Sequence, residues 1–197
     1  MSRSVGILLF DEVEVLDFAG PFEVFSVAGR RDGSHPFDVW TVGQHERGID
    51  ARNKLVVLPT HSFSSAPPAD VLVIPGGYGT RREMLNEKVL DWVRSAAQHA
   101  EIVLSVCTGA LILGKAGLLD GLAVTTHHGA LDELKAAAPT AQVQGDRRVI
   151  DNGKFVLAAG VSSGIDASFH VVSRLLGAAV AEETARYIEY PLLVPAG

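Results

Sequence analysis

A single cysteine, Cys107, closes the apolar run Ile102-Val103-Leu104-Ser105-Val106 and stands directly before Thr108-Gly109-Ala110-Leu111-Ile112-Leu113. The first run has the length and β-branching of a buried strand, and the second reads as the start of a helix. A cysteine at such a corner has the arrangement of a nucleophile elbow, whose tight turn projects the side chain from the carboxyl-terminal edge of a sheet. Ser105 and Gly109, two positions to either side, are small enough for strand and helix to close around it. The start of a helix favours negative charge, which lowers a thiol pKa, and the Thr108 N–H points to where such charge would develop. A free cysteine is also a common small core hydrophobe. The corner placement is what favours a reactive thiol.

A second corner reads Val71-Leu72-Val73-Ile74-Pro75-Gly76-Gly77-Tyr78-Gly79-Thr80. Its glycines either serve a tight connection that needs positive φ or present N–H groups as the other half of an oxyanion hole. It is not a dinucleotide fingerprint, because the sixth position from Gly77 is Arg82 rather than glycine. The third piece is Leu16-Asp17-Phe18-Ala19-Gly20-Pro21, after the first apolar run. There Asp17 reads locally as the N-cap just before a helix, a role aspartate favours, with an acid at the same sheet edge as the alternative. Thr125-Thr126-His127-His128 offers two imidazoles, but adjacent residues point differently, and no further ligands for a metal can be placed. His170, on an amphipathic helix, reads as structural or surface. The pairs Arg30-Arg31, Arg81-Arg82 and Arg147-Arg148 read as solvated charge rather than a nucleic-acid stripe.

These corners need a sheet to hold them. Short apolar runs cover residues 5–10, 37–42, 71–74, 102–106 and 155–158, as expected for strands buried on both faces of a parallel sheet. Between them, residues 82–100 place Leu85, Val89, Trp92, Val93 and Ala96 on one helical stripe. Residues 165–176 do the same, and residues 181–188 form a last short helix before Pro191. Residues 148–151 and 154–157 flank Asn152-Gly153, a hairpin signal. Strands alternating with helices give an α/β fold with a central, mostly parallel sheet.

The 197 residues suit one domain, residues 1–197, with no composition shift or repeat to divide it. A hydrophobic fraction of 47% excludes a disordered chain. One cysteine excludes a disulfide scaffold and a multi-cysteine zinc site, and it fits a reducing, cytoplasmic compartment. Residues 5–10 are too few for a signal-peptide core or a membrane span. The net charge of −6 points away from nucleic acid and anionic membranes as partners.

The three corners together resemble the ThiJ/PfpI superfamily, within the class I glutamine-amidotransferase-like fold. The resemblance runs over nearly the whole chain and continues through Leu118-Leu119-Asp120-Gly121, Thr125-Thr126-His127 and Gly160-Val161-Ser162-Ser163-Gly164-Ile165-Asp166. It implies a flavodoxin-like three-layer sandwich. Proteases of the superfamily carry Cys-His-Gly at the elbow, but Thr108 follows Cys107 here. Glutaminases place His-x-Glu downstream of the cysteine, whereas His99-Ala100-Glu101 lies upstream. Deglycase and glyoxalase-like members carry glutamate where Asp17 stands. Asp17, Cys107-Thr108-Gly109 and Thr126-His127 look most like isonitrile hydratases and the amidotransferase-like domains of AraC-type regulators. Those regulators continue into a helix-turn-helix module, for which no room is expected before Gly197. His128 replaces the tryptophan usual after this histidine, and the longer tail of some hydratases is not expected here.

What the resemblance implies is a small-molecule enzyme without cofactor or metal, and a homodimer. Cys107 would be the nucleophile and Asp17 its acid partner. Gly77 and Thr108 would form an oxyanion hole, and Tyr78, His127, His128 and Val161 would wall the pocket. The implied reaction adds water to an isonitrile to give an N-substituted formamide. A redox or ligand sensor using the same thiol, and glyoxalase or deglycase chemistry on reactive carbonyls, are the alternatives. For Cys107 and Asp17 to cooperate they must share a proton, with the Asp17 pKa raised by its neighbour and by burial.

Overall fold

The structure, a computed structural model, describes residues 2–30 and 33–192, so Arg31 of the first basic pair lies outside the described residues. In chain order it contains β1 (Arg3–Leu8), α1 (Val15–Val27), β2 (Phe37–Gly43), β3 (Ile49–Asp50), β4 (Val56–Val57), β5 (His61–Ser62) and β6 (Val71–Ile74). There follow α2 (Thr80–Glu83), α3 (Glu87–His99), β7 (Ile102–Val106), α4 (Gly109–Lys115), β8 (Ala123–Val124), α5 (Leu131–Ala137) and β9 (Gln142–Val143). The chain closes with β10 (Val149–Asp151), β11 (Phe155–Ala158), α6 (Ser163–Leu176) and α7 (Ala178–Tyr187).

Seven strands form the main sheet in the order β10-β11-β7-β6-β1-β2-β5. All pairs in it are parallel except β10 with β11, the hairpin turning at Asn152-Gly153. Every residue of β6 and β7 is buried, as a strand covered by helices on both faces requires. Helices α1, α6 and α7 pack together on one side of the sheet, and α2 to α5 on the other, which makes the three layers. The inner order β2-β1-β6-β7-β11 is that of the flavodoxin-like α/β fold. Its topological switch point, where such folds bind ligands, falls between β1 and β6. Among the described residues no helix is long and apolar enough to cross a membrane.

Three local expectations are corrected. Residues 82–100 are not one helix: α2 ends at Glu83, and α3 begins after Asn86, whose side chain accepts the Lys88 N–H at 3.2 Å. Asparagine serves a helix better as a cap than as an interior residue. Asp17 is not an N-cap, because α1 starts at Val15 with Glu14 in the cap position. Pro21 lies inside α1, a residue that ordinarily argues against a helix. The arginine pairs are not merely solvated: Arg81 bonds both oxygens of Glu133, at 2.8 and 2.7 Å, and Arg148 pairs with Asp166.

The elbow depends on Gly109. A Cβ there would run into the Ile74 carbonyl, because the start of α4 crosses the end of β6 at backbone contact. Gly109→Ala is therefore expected to destabilise the protein by about 3 kcal/mol or more. A urea or thermal denaturation series measures this directly.

Candidate active site

The carboxyl ends of β1, β6 and β7 lie side by side, so the segments that follow them meet. Cys107 takes φ 55°, a left-handed conformation rare for a residue with a side chain, and its N–H bonds the Ala158 carbonyl at 3.1 Å. The Thr126 hydroxyl donates to the Cys107 carbonyl at 2.7 Å. Both bonds hold the backbone of the strained turn from outside. Only 6% of Cys107 is exposed.

Asp17 lies in the first turn of α1 and is fully buried. Its Oδ2 accepts the Gly76 N–H at 2.9 Å, an approach that a side chain at position 76 would block. Its Oδ1 has no well-formed hydrogen bond, and the Cys107 thiol is the side chain beside the carboxyl. Burial, reinforced by the nearby Glu14, pushes the Asp17 pKa up to about 7 against the bond from Gly76. Burial and then the Asp17 charge push Cys107 up to about 12. The thiol pKa expected to fall at the start of a helix therefore rises. The N–H groups of Thr108 and Val161 face the sulfur, but they do not offset desolvation. These two values belong to the pair: it gives up one proton near neutrality and holds the second far into base.

Gly77 departs from its expected role. Its N–H donates to the Thr108 hydroxyl at 3.0 Å, in a cluster that also contains the Thr80 hydroxyl, 3.1 Å from that of Thr108. The donor expected for an oxyanion hole is thus engaged. Val161 provides the N–H that sequence reasoning did not assign. It sits at φ 37°, a position unusual for a β-branched residue, so backbone strain is held where an amide meets the sulfur.

A pocket of about 310 Å³ opens over Cys107. Gly77, Tyr78, Thr108, His127 and Val161 line it, together with Glu14, Arg52, Arg81 and Gly129. His128 does not: it lines an adjoining cavity of about 370 Å³ that shares only His127 and Val161 with the first. The His127 Nδ1 accepts the Gly129 N–H at 3.1 Å. Burial, then the neighbouring His128 and Arg81 charges, lower its pKa, so it is a neutral ring with its proton on Nε2. Tyr78 is 64% exposed at the rim, with the Arg52 guanidinium 4.1 Å from its ring centroid. Arg52 is also bonded to Glu12 at 2.8 Å. Arg52 arrives from a distant loop, and nothing in its local sequence marks it. Glu14 did carry a signal, since it is an acid three residues before Asp17. His170 bonds Asp151 at 2.7 Å, away from the pocket.

A cysteine elbow at the switch point of a flavodoxin-like sheet, with a buried acid behind the sulfur, defines the class. Residues 3–174 match the DJ-1/PfpI family, and the chain belongs to it. It is 35% identical over 192 residues to isonitrile hydratase of Pseudomonas putida, covering 96% of this chain and 79% of that protein. It is 27% identical over 172 residues to the HTH-type transcriptional regulator GbdR of Pseudomonas aeruginosa, spanning 87% of this chain but only 46% of the regulator. Among solved structures, a ThiJ/PfpI family protein from Pseudomonas syringae superposes with a TM-score of 0.87 at 26% identity, over 99% of this chain and 78% of that one. Drosophila melanogaster DJ-1beta shares the fold with a TM-score of 0.83 at 21% identity, over 97% and 100% of the two chains.

Proposed function

We propose that the protein hydrates isonitriles, R–N≡C, to N-substituted formamides. The observation that carries this reading is the pairing of the Cys107 thiol with a buried aspartate rather than a glutamate, beneath a pocket of about 310 Å³. The 35% identity to an isonitrile hydratase supports it. Above about pH 7 the pair carries one negative charge and one proton. Asp17 takes the thiol proton as the sulfur attacks the terminal carbon, then delivers it to that carbon, giving the thioimidate R–N=CH–S–Cys107. The N–H groups of Thr108 and Val161 stabilise charge on the sulfur during the attack. Water then adds to the same carbon, and the formamide leaves as the thiol is restored. A homodimer belongs to the same reading, and light scattering on the purified protein checks it.

The rival is a thiol sensor. The burial of the sulfur and the upward push on its pKa favour the enzyme, because oxidation by peroxide needs an accessible thiolate. The test is incubation with a simple aromatic isonitrile, with formamide followed by chromatography, beside a second sample treated with peroxide. Many turnovers per Cys107 support the hydratase. Stoichiometric oxidation of Cys107 without formamide overturns it.

A further inference from the structure

The hydration has two halves, and the second needs a group on the pocket side to hold its water. Asp17 is fully buried beside the Cys107 sulfur and does not line the pocket, so its proton transfers run along the sulfur to the carbon bonded to it, while the water of the second half enters from the pocket. His127 does line the pocket, but its Nδ1 is taken by the Gly129 N–H and its remaining nitrogen carries the proton, so it offers no lone pair. Arg52 and Arg81 carry no acceptor and are already paired with carboxylates, and the hydroxyls of Tyr78 and Thr108 are weak bases. The carboxylate that lines the cavity is that of Glu14.

Glu14 occupies the N-cap of α1, and its side chain makes no capping hydrogen bond, so the helix does not hold its carboxylate. Among the described residues its side chain forms no hydrogen bond or ion pair, while its backbone N–H is pinned to the Gly76 carbonyl at 2.9 Å and its carbonyl accepts the Asp17 N–H at 3.2 Å. An unpaired acid lining a cavity over a cysteine is available to a molecule bound there.

We infer that Glu14 is the general base of the second half-reaction, holding and deprotonating the water that attacks the thioimidate. The inference rests on the hydratase reading. As the C–O bond forms, Glu14 takes one water proton and passes it to the imine nitrogen, giving R–NH–CH(OH)–S–Cys107. As the carbonyl forms and the C–S bond breaks, the hydroxyl proton passes through Glu14 to the departing sulfur. One water is consumed, and Cys107, Asp17 and Glu14 end as they began. The start of α1 thus places two acids three residues apart, Asp17 buried beside the sulfur and Glu14 lining the pocket.

The test is Glu14→Gln with an aromatic isonitrile, followed by formamide release and by intact-protein mass spectrometry under mild quench. Turnover is expected to fall about 100-fold or more, while a species heavier by one isonitrile accumulates and is absent from Cys107→Ala. Glu14→Asp, which keeps the acid on a shorter arm, is expected to recover part of the rate. Turnover of Glu14→Gln within about twofold of wild type overturns the inference and leaves the hydratase reading standing. Lost turnover without an adduct overturns it too, because Glu14 would then act before the addition. A wild-type protein that yields neither formamide nor adduct brings down the hydratase reading, and this inference with it.

Discussion

Cys107→Ala is expected to reduce formamide production from an aromatic isonitrile by about 10⁴-fold or more, to the rate of the uncatalysed reaction. Removal of a nucleophile ordinarily costs about that much, since no second group in the pocket can form the covalent intermediate. The loss is expected in kcat, measured at saturating substrate, with the fold intact. Cys107 sits at φ 55°, so alanine inherits the same strained backbone, whereas Cys107→Gly relieves it. The glycine variant is therefore expected to be more stable than the alanine variant by about 1 kcal/mol while equally inactive. Equal melting temperatures would contradict the strain; residual turnover above about 1% in either variant would contradict the nucleophile.

Asp17→Asn is expected to separate function from stability. The wild-type acid has its pKa raised from 3.8 to about 7, so the folded protein holds a proton across that interval that the unfolded chain has released. Stability from this group is then greatest below pH 3.8, falls as the pH rises, and is lost once the pH passes about 7. At pH 8 the burial of the charge costs about 4 kcal/mol at ~1.36 kcal/mol per pKa unit. Asparagine never ionises, yet it keeps an oxygen for the Gly76 N–H. Part of the gain is offset because its amide N–H group would face only the Cys107 sulfur. The net expectation is a gain of about 2 kcal/mol at pH 8, shrinking to nothing or reversing near pH 4, read from urea unfolding at the two pH values. Activity is expected to disappear with the gain, because no base remains to take the thiol proton. In the wild type, kcat/KM is expected to rise with pH through about 7, as Asp17 ionises. The Cys107 pKa, followed by thiolate absorbance, is expected to fall from about 12 in Asp17→Asn but to stay above 9, because burial is the larger of its two causes. A wild-type profile flat from pH 6 to 8, or an Asp17→Asn protein less stable at pH 8, would count against the shared-proton pair.

The strands that carry the site could be read from sequence because each is an unbroken apolar run ended by glycine, proline or a polar residue. Burial on both faces leaves such a strand no alternation to hide. Elements interrupted by conflicting residues were harder to read. Helix α1 contains Pro21 and opens on Glu14, and the break between α2 and α3 turns on the single residue Asn86. Asp17 illustrates the limit: aspartate near the start of a helix reads as a cap, and only the observed start at Val15 shows that its carboxyl points inward to Gly76 and the sulfur.

The sequence by itself determined the sheet, the cysteine at a strand–helix corner, and the three segments that meet around it. It did so because strand periodicity, turn glycines and motif order are local and survive without coordinates. Only the tertiary structure decided how those parts are charged and which remain free. It turned a thiol expected to be acidic into a buried one pushed up to about 12, because desolvation depends on the whole fold rather than on neighbours in sequence. It engaged the Gly77 amide with Thr108, set the Val161 amide against the sulfur, and moved His128 into the adjoining cavity. It also left Glu14 lining the pocket with no side-chain partner among the described residues. Hydrogen-bond satisfaction and burial are sums over segments far apart in the chain, and they exist only once the chain has closed on itself.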